Sequence, residues 1–135
     1  MKITATVARI LLGLVFLASG ISGFVFLFVS APPPPPGLAG TFQQVFFATH
    51  WVQFVDGVQL IAGLLLLLNR FVPLALILLA AIIANIYVFH ITMAPNGIIA
   101  PIILSVLWVL VALRFRENFA PLLTARAQPQ SYSHN

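Results

Sequence analysis

Four polar side chains interrupt two long apolar stretches in the middle of this chain, and they are the residues best suited to chemistry. Asp56 and Gln59 fall in VDGVQLIAGLLLLL, while Asn85 and His90 fall in LALILLAAIIANIYVFH. A carboxyl group and an imidazole can exchange a proton or pair as ions, and amides can both donate and accept hydrogen bonds. Because unpaired ionisable groups are costly in hydrocarbon, their presence in such stretches indicates a functional site.

The spacing of these residues predicts similar depths in a membrane but different directions. Residues at three- and four-residue steps share one face of a helix, and one such face contains Asp56 and Gln59. Asn85 and His90 differ by about 140° around their helix, so at most one of them faces the preceding helix directly. Tyr87 lies beside His90 on the same helix surface. We therefore expect polar groups from several helices rather than one compact cluster.

We expect a ligand-binding pocket in the outer half of a helical bundle, and the sequence assigns no catalytic residue. Two interpretations stay open: the polar groups bind a ligand or relay protons, or they hydrogen-bond to other helices and to backbone carbonyls and fix the packing. Asp56 could be neutral, or ionised and paired with His90. The predicted pocket residues are Asp56, Gln59, Asn85, Tyr87 and His90, with Ser19 and Ser22 from the first apolar segment.

The sequence gives little support to other chemistries. It contains no cysteine, which excludes disulfides and cysteine-ligated zinc or iron–sulfur centres. His50 and His90 lack a supporting haem motif, and no i, i+3 or i, i+4 ligand pair predicts a metal site. No phosphate-binding loop or nucleophile elbow occurs. The net charge of +4 is not gathered on a basic face with aromatic residues, so we expect no nucleic-acid partner.

Four apolar segments must position the polar residues, and the fold class predicted is all-α, an integral membrane four-helix bundle. The 61% hydrophobic and 6% charged composition exceeds what a soluble domain accommodates. A short extracytoplasmic helix near residues 41–48 is expected to lie in the membrane interface, and residues 38–68 could be one kinked helix or two. The predicted domain covers residues 1–120, with helices at about 7–29, 50–68, 74–93 and 98–114, followed by a flexible cytoplasmic tail at 121–135.

Details within the first and last segments add three expectations. The start of the chain is similar to a signal peptide, but the apolar run continues past the presumed cleavage site, which favours an uncleaved helix. Ser19 and Gly23 form a small-xxx-small pair, which favours close helix packing as the alternative to a pocket role. On the last segment, Ser105 and Trp108 are the only polar or large aromatic features of note.

The distribution of charge predicts the orientation of the bundle. Four helices place both termini on one side, and all six cations fall on that side. By the positive-inside rule this side is the cytoplasm, so we expect a multi-pass protein of the bacterial inner membrane with cytoplasmic termini. Arg9 is expected to extend its side chain to the cytoplasmic headgroups. The cations are Lys2, Arg9, Arg70, Arg114, Arg116 and Arg126.

The chain resembles the DoxX family of small four-helix bacterial and archaeal membrane proteins. The resemblance rests on ARILLGLVFLASGISGF, QLIAGLLLLLNRFVPLALILLAAIIANIYVFH and the closing LRFRENFAPLL, and on their order. Family members commonly carry Glu where this chain has Gln59, and often a basic residue near Gly23. The resemblance implies association with membrane redox systems, including a subunit of a thiosulfate:quinone oxidoreductase and partners in oxidative-stress complexes.

These observations lead to two functional hypotheses from different classes. In the first, the protein is an accessory subunit of a membrane redox system, with redox partner proteins and with quinone as the candidate cofactor. In the second, it is a non-catalytic scaffold that anchors partner proteins or assembles as a homo-oligomer. A small-molecule carrier is a weaker third hypothesis, because neither broken helices nor internal repeats are evident.

Overall fold

The computed structural model describes residues 1–131, which form helices and contain no strand; the connections are short turns except for the proline-containing segment at 26–37. Two 3₁₀ turns, Pro95–Gly97 and Ala120–Leu123, accompany them. Residues 132–135 of the predicted tail lie outside the described residues. The helices are α1 (Lys2–Val25), α2 (Leu38–Ala48), α3 (Trp51–Leu67), α4 (Val72–Thr92), α5 (Ile99–Arg114) and α6 (Arg116–Phe119).

Three helical segments of the described chain are long and apolar enough to cross a membrane, and a fourth crossing is available through α3. The three are α1, α4 and the segment Pro95–Arg114 that contains α5. With 17 residues, α3 is about 25 Å long and is slightly short for a membrane span by itself. Together with α2, from which it is bent by 84°, it is long enough for a fourth crossing. The prediction of an all-helical membrane bundle is confirmed.

Residues 38–68 form two helices rather than one, because the backbone turns sharply at His50. This residue adopts the left-handed region, with φ of 59°, which a continuous helix does not permit. The helix expected near residues 41–48 is α2, which begins three residues earlier at Leu38. Its Phe42 ring lies 5.4 Å from that of Phe89, so α2 packs beside the C-terminal end of α4.

The five prolines at 32–36 are held against α2. Gln43 Nε2 donates a 3.1 Å hydrogen bond to the carbonyl of Pro32. A Cβ at Gly40 would lie 1.7 Å from the carbonyl oxygen of Pro35, so the close approach requires glycine at that position. The proline segment therefore crosses the helix directly instead of extending away from it.

The helix boundaries differ from those expected mainly at α1, which occupies Lys2–Val25 instead of about 7–29. Hydropathy marks the apolar stretch, whereas the helix continues into its polar first turn, where Ala5 N donates to Met1 O at 2.9 Å. At its other end the chain leaves the helix before the prolines through turns such as Phe28 N to Val25 O at 2.9 Å. The 3₁₀ turn Ala120–Leu123 lies where the tail was expected to begin.

The closest helix pair is α1 with α3, and glycines permit that approach. A Cβ at Gly20 would lie 2.5 Å from the backbone nitrogen of Leu60, and one at Gly63 would lie 2.6 Å from that of Leu17. Small residues of this kind let membrane helices pack backbone to backbone. The apolar core extends from this seam to the other helices and includes Leu12, Phe16, Leu66, Leu76, Leu79 and Val111.

Arg9 binds protein rather than extending only toward lipid headgroups. Its Nη1 donates to the carbonyl of Leu66, in the last turn of α3. That helix ends in a Schellman motif, in which Arg70 N donates to Leu65 O at 3.0 Å and Asn69 takes a left-handed φ of 53°. A carbonyl at a helix C-terminus is a favourable acceptor for a cation, and the extension of Arg9 toward the cytoplasmic headgroups stays a prediction.

Candidate functional site

The first group of predicted site residues lies in the seam between α1 and α3. Asp56 and Gln59 are both buried, with 8% of each side chain exposed. Gln59 Nε2 donates a 2.8 Å hydrogen bond to Asp56 Oδ1. Because the two residues are three apart, they share the helix face that the spacing predicted. The polar pair is therefore satisfied within α3 and turned toward α1.

Glycines of α1 close this seam over the carboxyl group. A Cβ at Gly23 would lie 1.9 Å from Asp56 Oδ2, so the carboxylate rests against bare backbone. Gln53, one turn earlier on α3, donates from Nε2 to the carbonyl of Gly23 at 3.0 Å. Its Oε1 is buried without a hydrogen-bond partner. The arrangement joins the two helices tightly, with the carboxyl group of Asp56 in direct contact with the backbone of α1.

His90 has a different partner from Asp56. Its Nδ1 lies 2.9 Å from the carbonyl oxygen of Ala94, and because a carbonyl only accepts, Nδ1 carries the proton. The ring also packs against Gly97, where a Cβ would lie 2.3 Å from Cε1. The structure thus gives His90 the interfacial, carbonyl-bonded setting that was one of the two interpretations.

Two other predicted site residues, Asn85 and Ser22, make local hydrogen bonds, and Ser19 is half-buried on α1. Asn85 is exposed on α4, and its Nδ2 donates to the carbonyl of Ala81 at 2.9 Å. Ser22 is exposed on α1, and its hydroxyl donates to the carbonyl of Ser19 at 2.6 Å. Bonds from a side chain to the preceding turn of the same helix are common for such residues. The hydrogen-bond partners of Asn85, Ser22 and His90 all lie near each residue in the sequence, away from Asp56, so the structure does not gather the seven predicted residues around one cavity.

Tyr87 lies in a separate place, in an open groove between α4 and α5. The groove has a volume of about 300 Å³ and is mostly apolar. Tyr87 Oη lies 3.0 Å from Ser105 Oγ, which is also 2.8 Å from the carbonyl of Pro101. A serine hydroxyl has one proton, so when Ser105 donates to the carbonyl, Tyr87 is the donor between the two hydroxyls. The lining residues are Ala80, Ile83, Ala84, Tyr87, Ser105, Trp108 and Val109.

Ser105 and Trp108 were noticed in the sequence but not assigned to a site. They are three residues apart on α5 and therefore face the same way, which is the signal that could have linked them. The indole Nε1 of Trp108 donates to the carbonyl of Leu76 at 2.8 Å, which ties α5 to α4 at one end of the groove. With that bond made, Tyr87 and Ser105 are the groove's remaining polar side chains.

Within residues 1–131, no three His, Cys, Asp or Glu side chains come together in a way that could hold a metal ion. His50 lies at the bend between α2 and α3, whereas His90 is bonded near the end of α4. Polar side chains of two helices meet in the groove, at Tyr87 and Ser105, whereas the two side chains that hydrogen-bond to each other in the seam both belong to α3.

Comparison with protein-family models gives one match, to the family described as DoxX, over residues 4–92. The matched range begins in α1 and ends at Thr92, the last residue of α4. It therefore contains the whole seam and the α4 wall of the groove, but not α5. No curated protein and no solved structure matches the chain.

Proposed function

Since this chain belongs to the DoxX family, we propose that it is an accessory subunit of a membrane redox system. The family assignment agrees with the helical membrane fold. The proposed ligand is a quinone, bound in the groove between α4 and α5. The observation that carries the proposal is the hydroxyl pair of Tyr87 and Ser105 in a groove that is otherwise apolar. A quinone combines a flat apolar ring with carbonyl oxygens that accept hydrogen bonds. Ligand sites commonly combine apolar walls with a few polar groups in the same way.

In this complex the Tyr87 hydroxyl turns from Ser105 and donates to a quinone carbonyl. Ser105 keeps its bond to Pro101, so no buried group loses its partner when the ligand enters. Trp108 supplies an aromatic wall and stays bonded to Leu76. The proposal moves the ligand site away from Asp56 and Gln59, whose role becomes the packing of α1 against α3.

The quinone content of the purified protein tests this proposal. We expect quinone to copurify stoichiometrically with the full chain in lipid nanodiscs, and Tyr87→Phe to weaken its binding by about threefold to tenfold, the worth of one hydrogen bond. Ser22→Ala is the matched control, because it also removes one hydroxyl but lies outside the groove. Absence of quinone from the wild-type protein, or equal retention by Tyr87→Phe, would contradict the proposal.

We propose that the protein lies in a bacterial inner membrane with both termini in the cytoplasm. The proposal is supported by the cations, since Lys2, Arg9 and Arg114 come together at one end of the bundle. Single cysteines at Gly37, Asn69, Asn96 and Ser131 in this cysteine-free chain can be labelled from either side. Asn69 and Ser131 should react from the inside, and Gly37 and Asn96 from the outside; any other partition contradicts the orientation.

A scaffold role is a second candidate, and the exposed amide of Asn85 favours it. The residue lies near the middle of α4 and faces away from the bundle, where a polar group contacts lipid unless another helix covers it. A second copy or a partner helix would cover it. Chemical cross-linking of intact membranes should then depend on Asn85, and Asn85→Leu should reduce the cross-linked species without changing quinone content.

A further inference from the structure

A cavity of about 310 Å³ lies at the end of the bundle opposite His90. It is formed where α1 begins, where the turn joins α3 to α4, and where α5 ends. No predicted site residue and no part of the proposed quinone groove contributes to it. The lining residues are Lys2, Ala5, Thr6, Arg9, Asn69, Arg114 and Phe115.

The cavity gathers positive charge from two helices. Lys2, Thr6 and Arg9 are three and four residues apart on α1, so they share one face, and Arg114 approaches from the end of α5. None of the described lining residues carries a carboxylate. The sequence has only two acidic side chains. Asp56 precedes Leu66 by about 15 Å along α3, on the side away from the cavity, and Glu117 is not a lining residue.

The polar groups of this cavity are mostly hydrogen-bond donors. Arg9 is half-buried and uses one of its five N–H donors on the carbonyl of Leu66, which fixes the guanidinium at the cavity wall. Lys2 and Arg114 are exposed and able to reorient. The first turn of α1 has no acidic residue and no side-chain cap, so its partial positive charge adds to that of the side chains. Cations brought together in this way repel each other unless an anion lies between them.

We propose that this cavity binds a phosphate-bearing anion between Arg9, Arg114 and Lys2. A phosphate has several acceptor oxygens, and arginine matches two of them at once through paired N–H groups. The source is either the headgroup of an anionic phospholipid or a free phosphate. Exposed apolar side chains beside the cavity, at Ile3, Val7 and Leu113, provide a surface for acyl chains.

Binding can be measured on the full chain in a neutral detergent, with native mass spectrometry and thermal unfolding as readouts. Phosphatidylglycerol should bind with a saturable stoichiometry of one and raise the unfolding temperature, whereas phosphatidylcholine should not. Inorganic phosphate forms the second arm. If it competes at millimolar concentration, the site accepts free phosphate; if only the lipid binds, the headgroup is the source. If neither anion binds saturably, the proposal is wrong.

Matched substitutions distinguish a specific anion-binding site from a general attraction of anions to the positive charge of this end of the bundle. Arg114→Gln and Lys2→Gln should each weaken anion binding by about tenfold, since each removes a charge-assisted hydrogen bond. Arg116→Gln removes the same charge from an exposed position two residues beyond Arg114 and outside the cavity, so it should leave binding unchanged. Equal losses in Arg116→Gln and Arg114→Gln would overturn the proposal. Arg9 is left intact because it also caps α3.

Discussion

The seam between α1 and α3 and the groove between α4 and α5 both place polar side chains at membrane depth, yet they differ in access. In the seam, Asp56 is 8% exposed and lies against glycine backbone. In the groove, Tyr87 is half-buried beside about 300 Å³ of open volume. The more ionisable group is thus in the more closely packed place. This contrast is why we propose a packing role for Asp56 and a ligand-binding role for the groove at Tyr87.

Adding a methyl group to the seam between α1 and α3 should have the largest effect on stability. Gly20→Ala would place a Cβ 2.5 Å from Leu60 N and 2.7 Å from Asp56 O, and both atoms are backbone. The helices must separate, so we expect a loss of about 3 kcal/mol in the free energy of unfolding. Unfolding of the detergent-solubilised protein by denaturant measures it.

Gly57→Ala is the control for this substitution, because it lies on the same helix pair but a Cβ there meets only Phe24 Cζ at 3.7 Å. That distance is ordinary contact, and alanine favours a helix over glycine by about 0.5–1 kcal/mol. Gly57→Ala should therefore be neutral or slightly stabilising. Similar losses in the two variants would show that the seam is not closed by backbone contact.

Removing the carboxyl group of Asp56 should have the next largest effect. Asp56→Ala leaves the buried Nε2 of Gln59 without its acceptor, which costs about 2 kcal/mol. Asp56→Asn keeps an oxygen in place to accept from Gln59 and should change stability by less than about 0.5 kcal/mol. Denaturant unfolding of the three proteins distinguishes these outcomes.

His90→Gln tests whether Asp56 is coupled to His90. The two side chains have separate hydrogen-bond partners, Gln59 and the carbonyl of Ala94. Their substitutions should therefore add within about 0.5 kcal/mol in a double-mutant cycle with Asp56→Asn. A larger coupling energy would indicate that Asp56 and His90 interact as an ion pair, which the sequence left open, and would support a functional role for the seam.

The sequence predicted the helical membrane fold and the shared face of Asp56 and Gln59, but it did not identify the hydrogen-bond partners of the other polar side chains. Hydropathy located the spanning helices, and the rise along a helix gave Asp56 and Gln59 their shared face. Hydropathy and helical spacing could not identify which carbonyl bonds to His90. The partner is the backbone carbonyl of Ala94, which lies just beyond the end of α4. The bond between Tyr87 and Ser105 depends on the rotation of α5 about its axis, which an almost uniformly apolar helix does not encode.

The break near His50 was one of the two possibilities left open for residues 38–68, and the sequence alone did not decide between them. Residues 38–68 are apolar and helix-forming on both sides of it, and no proline or glycine marks the break. What sets the bend is the tertiary arrangement: α2 holds the proline segment through Gln43 and contacts α4 through Phe42. At His50 the helix propensity of the neighbouring residues favours a continuous helix, but the tertiary packing of α2 bends the chain.

A moderate effect is expected at the closed end of the groove. Trp108→Phe keeps an aromatic ring but removes the N–H that bonds to the carbonyl of Leu76, so stability should fall by about 1 kcal/mol. Quinone binding should weaken only slightly, because the donor to the ligand is Tyr87. Parallel measurements of unfolding and of bound quinone separate the two. A loss of quinone larger than that in Tyr87→Phe would place the ligand at the indole instead.

Tyr87→Phe should have only a small effect on stability, but its effect on quinone binding decides between the groove and the seam as the ligand site. Hydrogen bonds between side chains in membranes contribute about 0.6 kcal/mol on average, and Ser105 keeps its bond to Pro101 in this variant. Added quinone stabilises only a protein that binds it, so the wild type should unfold at higher temperature with quinone and Tyr87→Phe should respond less. Asp56→Asn, with its groove intact, should respond like the wild type. If instead Asp56→Asn loses the response and Tyr87→Phe keeps it, the ligand reaches the seam, and closure over Asp56 describes only the unliganded protein.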